Sequence, residues 1–348
     1  MNIYERVSMI EKTTPLSNEN LANALKKIGE SQNRVAVVGS MNADYTIVAD
    51  RLPNPGETVN GSDLRVLPGG KSGNQAVSAA KIGANVQMFG AVGSDENAEF
   101  LLNTLESAGV DTSKILHVEG IKSGATVITV DAKAGENTIV YAPGSNAKVS
   151  VEYISQEDVK KAISSASVLG LCLESPMETV TEAAKIARTA GVKVLLNNSP
   201  FVNTLPSDLI ENASILLVNE HEMAQLLKIH EPEDGNWDDF DWFDAARIMH
   251  EYGFDEAVVT LGAEGSVVLD YNAEDGKKAV RICPQKVSAV DTTGCGDSFM
   301  GTVLAGLAAG FSLAQSAQVA TYVSAYAATG FGAQSSYGSA QQVVRAFE

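Results

Sequence analysis

Three cysteines are all that the 348 residues contain, and Cys172, Cys283 and Cys295 lie far apart. None has a CxxC partner, so neither a thiolate zinc site nor a disulfide framework is expected, and a chain of this length needs no staples. The four histidines are equally dispersed. His221-Glu222 opens a zinc-helix pattern, but Gln225 stands where its second histidine belongs. Basic residues are few: 25 Lys and Arg face 43 Asp and Glu, for a formal net charge of -18. A field of that sign argues against nucleic acid or an anionic membrane as a partner, while a local basic site can still hold a phosphorylated ligand. No apolar stretch precedes an N-terminal cleavage site, and no run of 18 apolar residues exists. Residues 298–344 carry no charge, yet Gly310, Ser312, Gln315, Ser316 and Gln318 interrupt them, so they read as two buried helices. These absences together predict a globular cytoplasmic protein.

The common nucleotide signatures are missing as well. Gly70-Lys71-Ser72 ends like a P-loop, but Arg65 occupies the place of its first glycine. Gly294-Cys295-Gly296 begins a dinucleotide fingerprint, but Phe299 replaces the third glycine and the stretch lies near the C-terminus. No G-x-S-x-G elbow occurs.

Hydrophobic patterning carries the fold. Strands are expected at residues 34–39, 86–91, 168–173, 192–196, 215–218 and 257–261, with helices at 75–82, 98–108, 178–190, 221–227 and 241–252. Short apolar strands alternating with amphipathic helices predict a three-layer α/β fold with a doubly wound, mostly parallel sheet. Segments 44–67 and 115–141 break the alternation, the latter as a hairpin across residues 134–137, and predict a small antiparallel β lid. Residues 1–33 read as an extension of the main domain at 34–348, partly without fixed structure, with a short helix at 18–28 capped by Ser17 or Asn18. Residues 229–244 are strongly acidic and read as a solvated loop.

In an open α/β sheet, ligands bind beyond the carboxyl ends of the strands. Asn42, Asp44, Glu174, Asn197, Asn219, Glu222 and the turn Thr260-Leu261-Gly262-Ala263-Glu264-Gly265 all fall at such ends. Asn219 could equally cap the helix that follows it. Asn, Asp and Glu side chains suit a hydroxyl-rich ligand, and Lys71 adds a cationic donor within the glycine-rich loop 67–74. At residues 290–299, two glycines sit at a helix start, where free N–H groups and the helix dipole favour an anion. Asp297 in that place fits a base that deprotonates a hydroxyl beside a phosphate, or an N-terminal cap.

Three stretches resemble the PfkB-type carbohydrate and nucleoside kinases. Gly69-Gly70-Lys71-Ser72-Gly73-Asn74 is similar to the family's sugar-side signature. Asp291-Thr292-Thr293-Gly294-Cys295-Gly296-Asp297 is similar to its catalytic signature, and Gly332-Ala333-Gln334-Ser335-Ser336 to its C-terminal loop. The likeness spans about residues 34–340 in consistent order. It implies an ATP-dependent kinase acting on the 5-hydroxyl of D-ribose, or else on deoxyribose, fructose or a nucleoside. A non-catalytic sugar sensor on the same fold is the reading from another class.

The resemblance also implies roles. Asn42, Asp44, Gly70, Lys71, Asn74 and Glu174 would hold the sugar, and Asp297 would be the general base. The N–H groups of Gly294, Cys295 and Gly296 would form the anion hole. ATP would meet Asn197, the 260–265 turn and Gly296, with Asn219 and Glu222 associated with Mg2+ and phosphate. Asp291 and Ser336 side chains, with the carbonyls of Thr293, Ala327, Gly330 and Gly332, would hold an activating K+. The lid would form a homodimer contact. Ser72-Gly73 in place of Gly-Ala, Cys295 in place of alanine and Phe331 in place of a basic residue depart from the pattern. The Cys295 thiol also reads as a candidate for oxidation.

Overall fold

Alternate residues of each central strand point to opposite faces, and the burial pattern follows that period. In β2 (Arg34–Val38), Val35 and Val37 enter one apolar layer while Ala36 and Val38 enter the other. The computed structural model describes residues 10–133, 136–274 and 276–348. In chain order it runs β1 (Glu11–Lys12), α1 (Asn18–Glu30), β2, β3 (Asn42–Ala49), β4 (Arg65–Gly69), α2 (Lys71–Lys81), β5 (Asn85–Phe89), β6 (Ala91–Val92), α3 (Glu96–Ser107), β7 (Leu116–His117), β8 (Gly124–Asp131) and β9 (Asn137–Ala142). Then follow α4 (Val151–Ile154), α5 (Glu157–Ser164), β10 (Val168–Leu171), α6 (Met177–Thr189), β11 (Lys193–Asn197), α7 (Ser207–Asn212), β12 (Ile215–Asn219), α8 (Glu220–Leu227), α9 (Trp242–Tyr252) and β13 (Glu256–Thr260). β14 (Ser266–Asp270), β15 (Ala279–Ile282), α10 (Cys295–Ala308), α11 (Leu313–Ala327) and α12 (Ala340–Ala346) complete it.

The main sheet has the order β1-β15-β14-β13-β12-β11-β10-β2-β5. β14 pairs antiparallel with both neighbours, and every other pairing in this sheet is parallel. Helices α4 to α9 cover one face, and α1 to α3 with α10 to α12 cover the other. The carboxyl ends of the parallel strands therefore share one edge, as a doubly wound sheet requires. Strands β14 and β15 were not anticipated, because Arg281 interrupts the apolar run of one and the other follows a turn read as ligand-binding. The acidic side chains of 231–239 are exposed, as expected of a solvated loop. Trp237 is nonetheless buried within it, edge-on to Phe240 and tilted against Trp242, and Asp238 lies 3.5 Å from the buried Arg281.

The lid is a second sheet of order β4-β3-β8-β9. It is mixed rather than purely antiparallel, since β3 and β8 pair in parallel. Between them the chain returns through the main layer, so both strands enter the lid from the same end. Within 57–64 only a bridge from Ala49 to Gly61 is strand-like, and Leu116–His117 pairs with β6 outside the lid. The β8–β9 hairpin is antiparallel as expected, while residues 134 and 135 of its turn lie outside the described residues.

Residues 10–33, expected as an extension, pack into the main fold. β1 adds a parallel edge to β15, and Ser17 caps α1. α1 buries Leu21, Leu25 and Ile28 against the second layer, each contributing about 1.5–3 kcal/mol of hydrophobic stabilisation. No helix among the described residues is long and apolar enough to cross a membrane.

Candidate active site

Two stretches more than 200 residues apart meet because α10 crosses α2 closely at Gly301. A Cβ at Gly301 would lie 2.3 Å from the Gln75 carbonyl, so only glycine permits this approach. Ser78 Oγ donates to the Ser298 carbonyl at 3.2 Å across the same crossing. The first turns of both helices are thereby brought together. Asp297 Oδ2 accepts from Asn74 Nδ2 at 2.9 Å, and its Oδ1 accepts from Gln75 Nε2 at 3.2 Å. Burial pushes the Asp297 carboxyl above its ordinary range, while Lys71 and these two amides restrain the rise.

Opposite Asp297 the lid contributes a second carboxylate. Asp44 Oδ1 accepts from Thr126 Oγ1 at 2.5 Å, and burial pushes its pKa up to about 6. Glu174 follows β10, accepts from the Ser40 hydroxyl and takes the Lys71 N–H at 2.9 Å. Asn42 is buried, and its Oδ1 accepts from Asn146 Nδ2 at 2.8 Å. Burial pulls the Lys71 ammonium down, but Asp297, Glu174, Cys172 and Glu222 together outweigh it and leave its pKa raised. One cation thus sits among several acids. Gly70 has φ +85°, and a Cβ there would lie 2.7 Å from Met41 Cα and 2.8 Å from the Asn42 nitrogen. The loop must be glycine for Asn42 and Lys71 to flank one cavity. All the expected sugar-side residues, Asn42, Asp44, Gly70, Lys71, Asn74, Glu174 and Asp297, gather here.

At the start of α10, Gly294 has φ +75° and no side chain caps the helix. A Cβ on Gly296 would meet nothing within 4 Å, so its main chain faces open space. Among the described residues, the N–H groups of Gly294 and Gly296 have no hydrogen-bond partner, whereas that of Cys295 donates to the Thr292 carbonyl at 3.2 Å. Free N–H groups at a helix start suit an anion. Burial, with Asp291 and Asp297 nearby, raises the Cys295 thiol to about 11. A thiol held there is mostly protonated at neutral pH, which makes it less nucleophilic than a free cysteine.

The residues expected on the nucleotide side line the same edge. Asn197 is buried at the end of β11, and Asn219 ends β12. Asn219 and Glu222 form a capping box: Asn219 Oδ1 accepts from the Glu222 N–H at 2.7 Å, and Glu222 Oε2 accepts from the Asn219 N–H at 2.9 Å. The capping alternative therefore holds for Asn219. Gly262–Glu264 form an exposed turn after Thr260 and Leu261, closed by the Leu261 N–H on the Gly265 carbonyl at 2.8 Å. Asp291 takes the N–H groups of Thr293 and Gly332, both at 2.9 Å. Burial pushes its carboxyl up, but these bonds prevail and hold it below the usual range. Ser336 lies beside Gly330, where a Cβ would come within 2.8 Å of its own Cβ. Thr293, Ala327, Gly330 and Gly332 complete that loop cluster.

Residues 32–339 match the description pfkB family carbohydrate kinase. The chain belongs to this family of carbohydrate kinases. It is 33% identical over 314 residues to the ribokinase of Haemophilus influenzae, covering 90% of this chain and 98% of that protein. The deoxyribokinase of Salmonella typhimurium is 32% identical over 314 residues, covering 88% and 96%. The structure of Arabidopsis thaliana ribokinase complexed with ribose and ATP superposes with a TM-score of 0.81 at 27% identity, over 91% of this chain and 99% of that one. The pfkB match begins at residue 32, so α1 and β1 precede it although they pack on the shared fold.

Several polar partners escaped the sequence reading. Gln75 adjoins Asn74 and could have been noticed as a second amide in the same helical turn. Ser40, Thr126, Asn146 and Tyr337 carry no local signal, since these partners lie 40 or more residues away, and Gln334 was read only as part of the 332–336 motif, without its partner.

Proposed function

We propose that the protein transfers the γ-phosphoryl group of ATP to the 5-hydroxyl of D-ribose, giving ribose 5-phosphate and ADP. One observation carries the reading. Asp297 is buried in the first turn of α10, next to the open Gly296, and clusters with Asp44, Lys71, Asn74 and Glu174. The ribokinase relatives support the choice of sugar.

In this reading, carboxylates accept hydrogen bonds from the sugar hydroxyls and Lys71 donates one, so the pentose is oriented before reaction. Asp297 takes the proton of the attacking 5-hydroxyl as the new O–P bond forms and the bond to the ADP oxygen breaks. Its raised pKa makes it a stronger base than an exposed aspartate. The N–H groups at Gly294 and Gly296 meet charge on the transferring phosphoryl group, and the Cys295 N–H can turn from its long bond to join them. Asn197, the 260–265 turn and Gly296 bound the nucleotide.

Mg2+ and K+ belong to the proposal. Asn219 and Glu222 would hold Mg2+ only through the carboxylate oxygen that the capping box leaves over, which suits an ion carried mainly by nucleotide phosphates and water. It would neutralise phosphate charge. The Asp291 and Ser336 side chains and the carbonyls of Thr293, Ala327, Gly330 and Gly332 form an all-oxygen set that fits K+, whose binding would order the anion loop. The lid leaves Val66, Val127 and Val140 exposed on one face, which supports a homodimer through the lid. Unpaired thiols agree with a reducing cytoplasm.

A second reading, deoxyribose as the preferred substrate, is favoured by the deoxyribokinase relatives. Initial rates with ATP and Mg2+ on ribose, 2-deoxyribose, fructose and adenosine, each with and without K+, test both. The highest kcat/KM on ribose is expected. A higher value on any other acceptor replaces the substrate assignment, and sugar binding without turnover replaces the kinase by a sensor.

A further inference from the structure

The C-terminal loop touches both working parts of the site. Gln334 and Tyr337 are almost wholly buried. Gln334 Nε2 donates to Asn74 Oδ1 at 2.9 Å, and Asn74 Nδ2 in turn donates to Asp297 at 2.9 Å. Tyr337 donates its hydroxyl to the Gly294 carbonyl at 2.7 Å. Gly294 is also walled in from this side, since a Cβ there would stand 2.5 Å from both Ala333 Cβ and the Tyr337 hydroxyl. The loop is pinned from the opposite side by Lys81, whose ammonium donates to the carbonyls of Gln334 and Tyr337, each at 2.9 Å. Its other end is held by the Gly332 N–H on Asp291.

The geometry points to residues 332–337 as a brace that holds the base Asp297 and the anion loop in register, with Gln334 and Tyr337 as positioning residues and Lys81 as the anchor. The brace rests on the reading of Asp297 as the base. Its logic is economical in bonds. The Asn74 amide can turn either way around; the Asp297 carboxylate accepts from its NH2 group, and a donor on its oxygen reinforces that orientation. Gln334 is that donor. The Gly294 carbonyl lies between the free N–H groups of Gly294 and Gly296 and shares its peptide plane with the Cys295 N–H, and the Tyr337 hydroxyl fixes it together with the Ser298 N–H at 2.8 Å. Movement at the Asp291 end, such as that of an ion entering, would be transmitted through the same six residues to both places.

Two variants test the brace. Gln334→Met keeps volume but removes the donor, and Tyr337→Phe removes one oxygen. The expected result is a kcat about tenfold lower in each. For Tyr337→Phe the KM for ribose and the melting temperature stay at wild-type values. For Gln334→Met the acidic limb of the kcat–pH profile moves to higher pH, because the Asn74 bond that restrains the Asp297 carboxyl is weakened. Lys71, Glu174, Asp44, Cys172, Cys295 and Tyr337 also face Asp297, and none of them is altered by Gln334→Met. Wild-type kcat in both variants, an unmoved acidic limb, or losses that only follow a lowered melting temperature overturn the brace. Asp297→Asn, run alongside, separates the two ideas. If it keeps turnover, the base assignment fails. If it is inactive while both brace variants match wild type, the brace alone fails.

Discussion

The two sides of the cleft are made of different material. The proposed sugar side gathers Asp297, which is buried, and Asp44, Lys71 and Glu174, which are half-buried, most of them tied to a fixed partner. The proposed nucleotide side offers an exposed turn at Gly262–Glu264 and a capping box whose polar atoms largely satisfy each other. Buried charges are costly unless paired, so the first arrangement is rigid and selective. Main-chain groups on a turn are already solvated and recognise a ligand by shape, so the second tolerates change in its side chains. Selectivity and proton transfer are therefore expected to fail by single substitutions on the sugar side, and nucleotide affinity to erode gradually on the other.

The sharpest way to break the contrast is Asp297→Asn. Turnover is expected to fall about 10²–10⁴-fold with the fold retained, since Asn keeps the size of Asp and one of its two acceptor oxygens. Steady-state kinetics with a thermal melt check both halves of the statement. Next comes Gly70→Ala. The added methyl must displace backbone at Met41 and Asn42, and shifts of that kind cost about a hundredfold in kcat/KM for the sugar.

A pH series gives a smaller effect. Asp44 titrates at about 6 and must be ionised to accept from sugar hydroxyls, so the sugar KM should rise as pH falls through 6, up to about tenfold per unit below it. In Asp44→Asn that dependence should vanish. For stability the sign is reversed. The folded pKa exceeds the unfolded value, so this group destabilises the sugar-free protein as pH rises through about 6 and not as it falls. The least effect is expected at Gly262→Ala on the nucleotide side. Its φ of +53° makes the change cost about 1 kcal/mol of stability, but the Cβ enters open space, so the KM for ATP should change less than about threefold. A larger loss there than at Gly70 would invert the comparison.

The legible parts of the sequence were those whose signal is local. The apolar runs of β2, β10, β11, β12 and β13 and the helices between them were visible from their period, as was the position of candidate residues at strand ends. The N-terminal segment was misjudged because Leu21, Leu25 and Ile28 form a stripe too short to reveal what it would cover. The direction of β8 in the lid was hidden for a related reason: parallel pairing depends on the path of the chain between two strands, not on either strand.

Asp291 and Asp297 stand at the two ends of one loop and show where sequence and tertiary structure divide the work. The sequence alone determined that a glycine turn opens a helix there, because Gly294 and Gly296 and the helical spacing beyond them are properties of neighbouring residues. It could not distinguish a base from a cap. Only the fold decided that Asp297 is buried among Lys71, Asn74 and Gln75 with its carboxyl pushed up, while two N–H groups hold Asp291 down. Proton affinity depends on solvent exclusion and on charges distant in the chain, and those are fixed only when the layers pack.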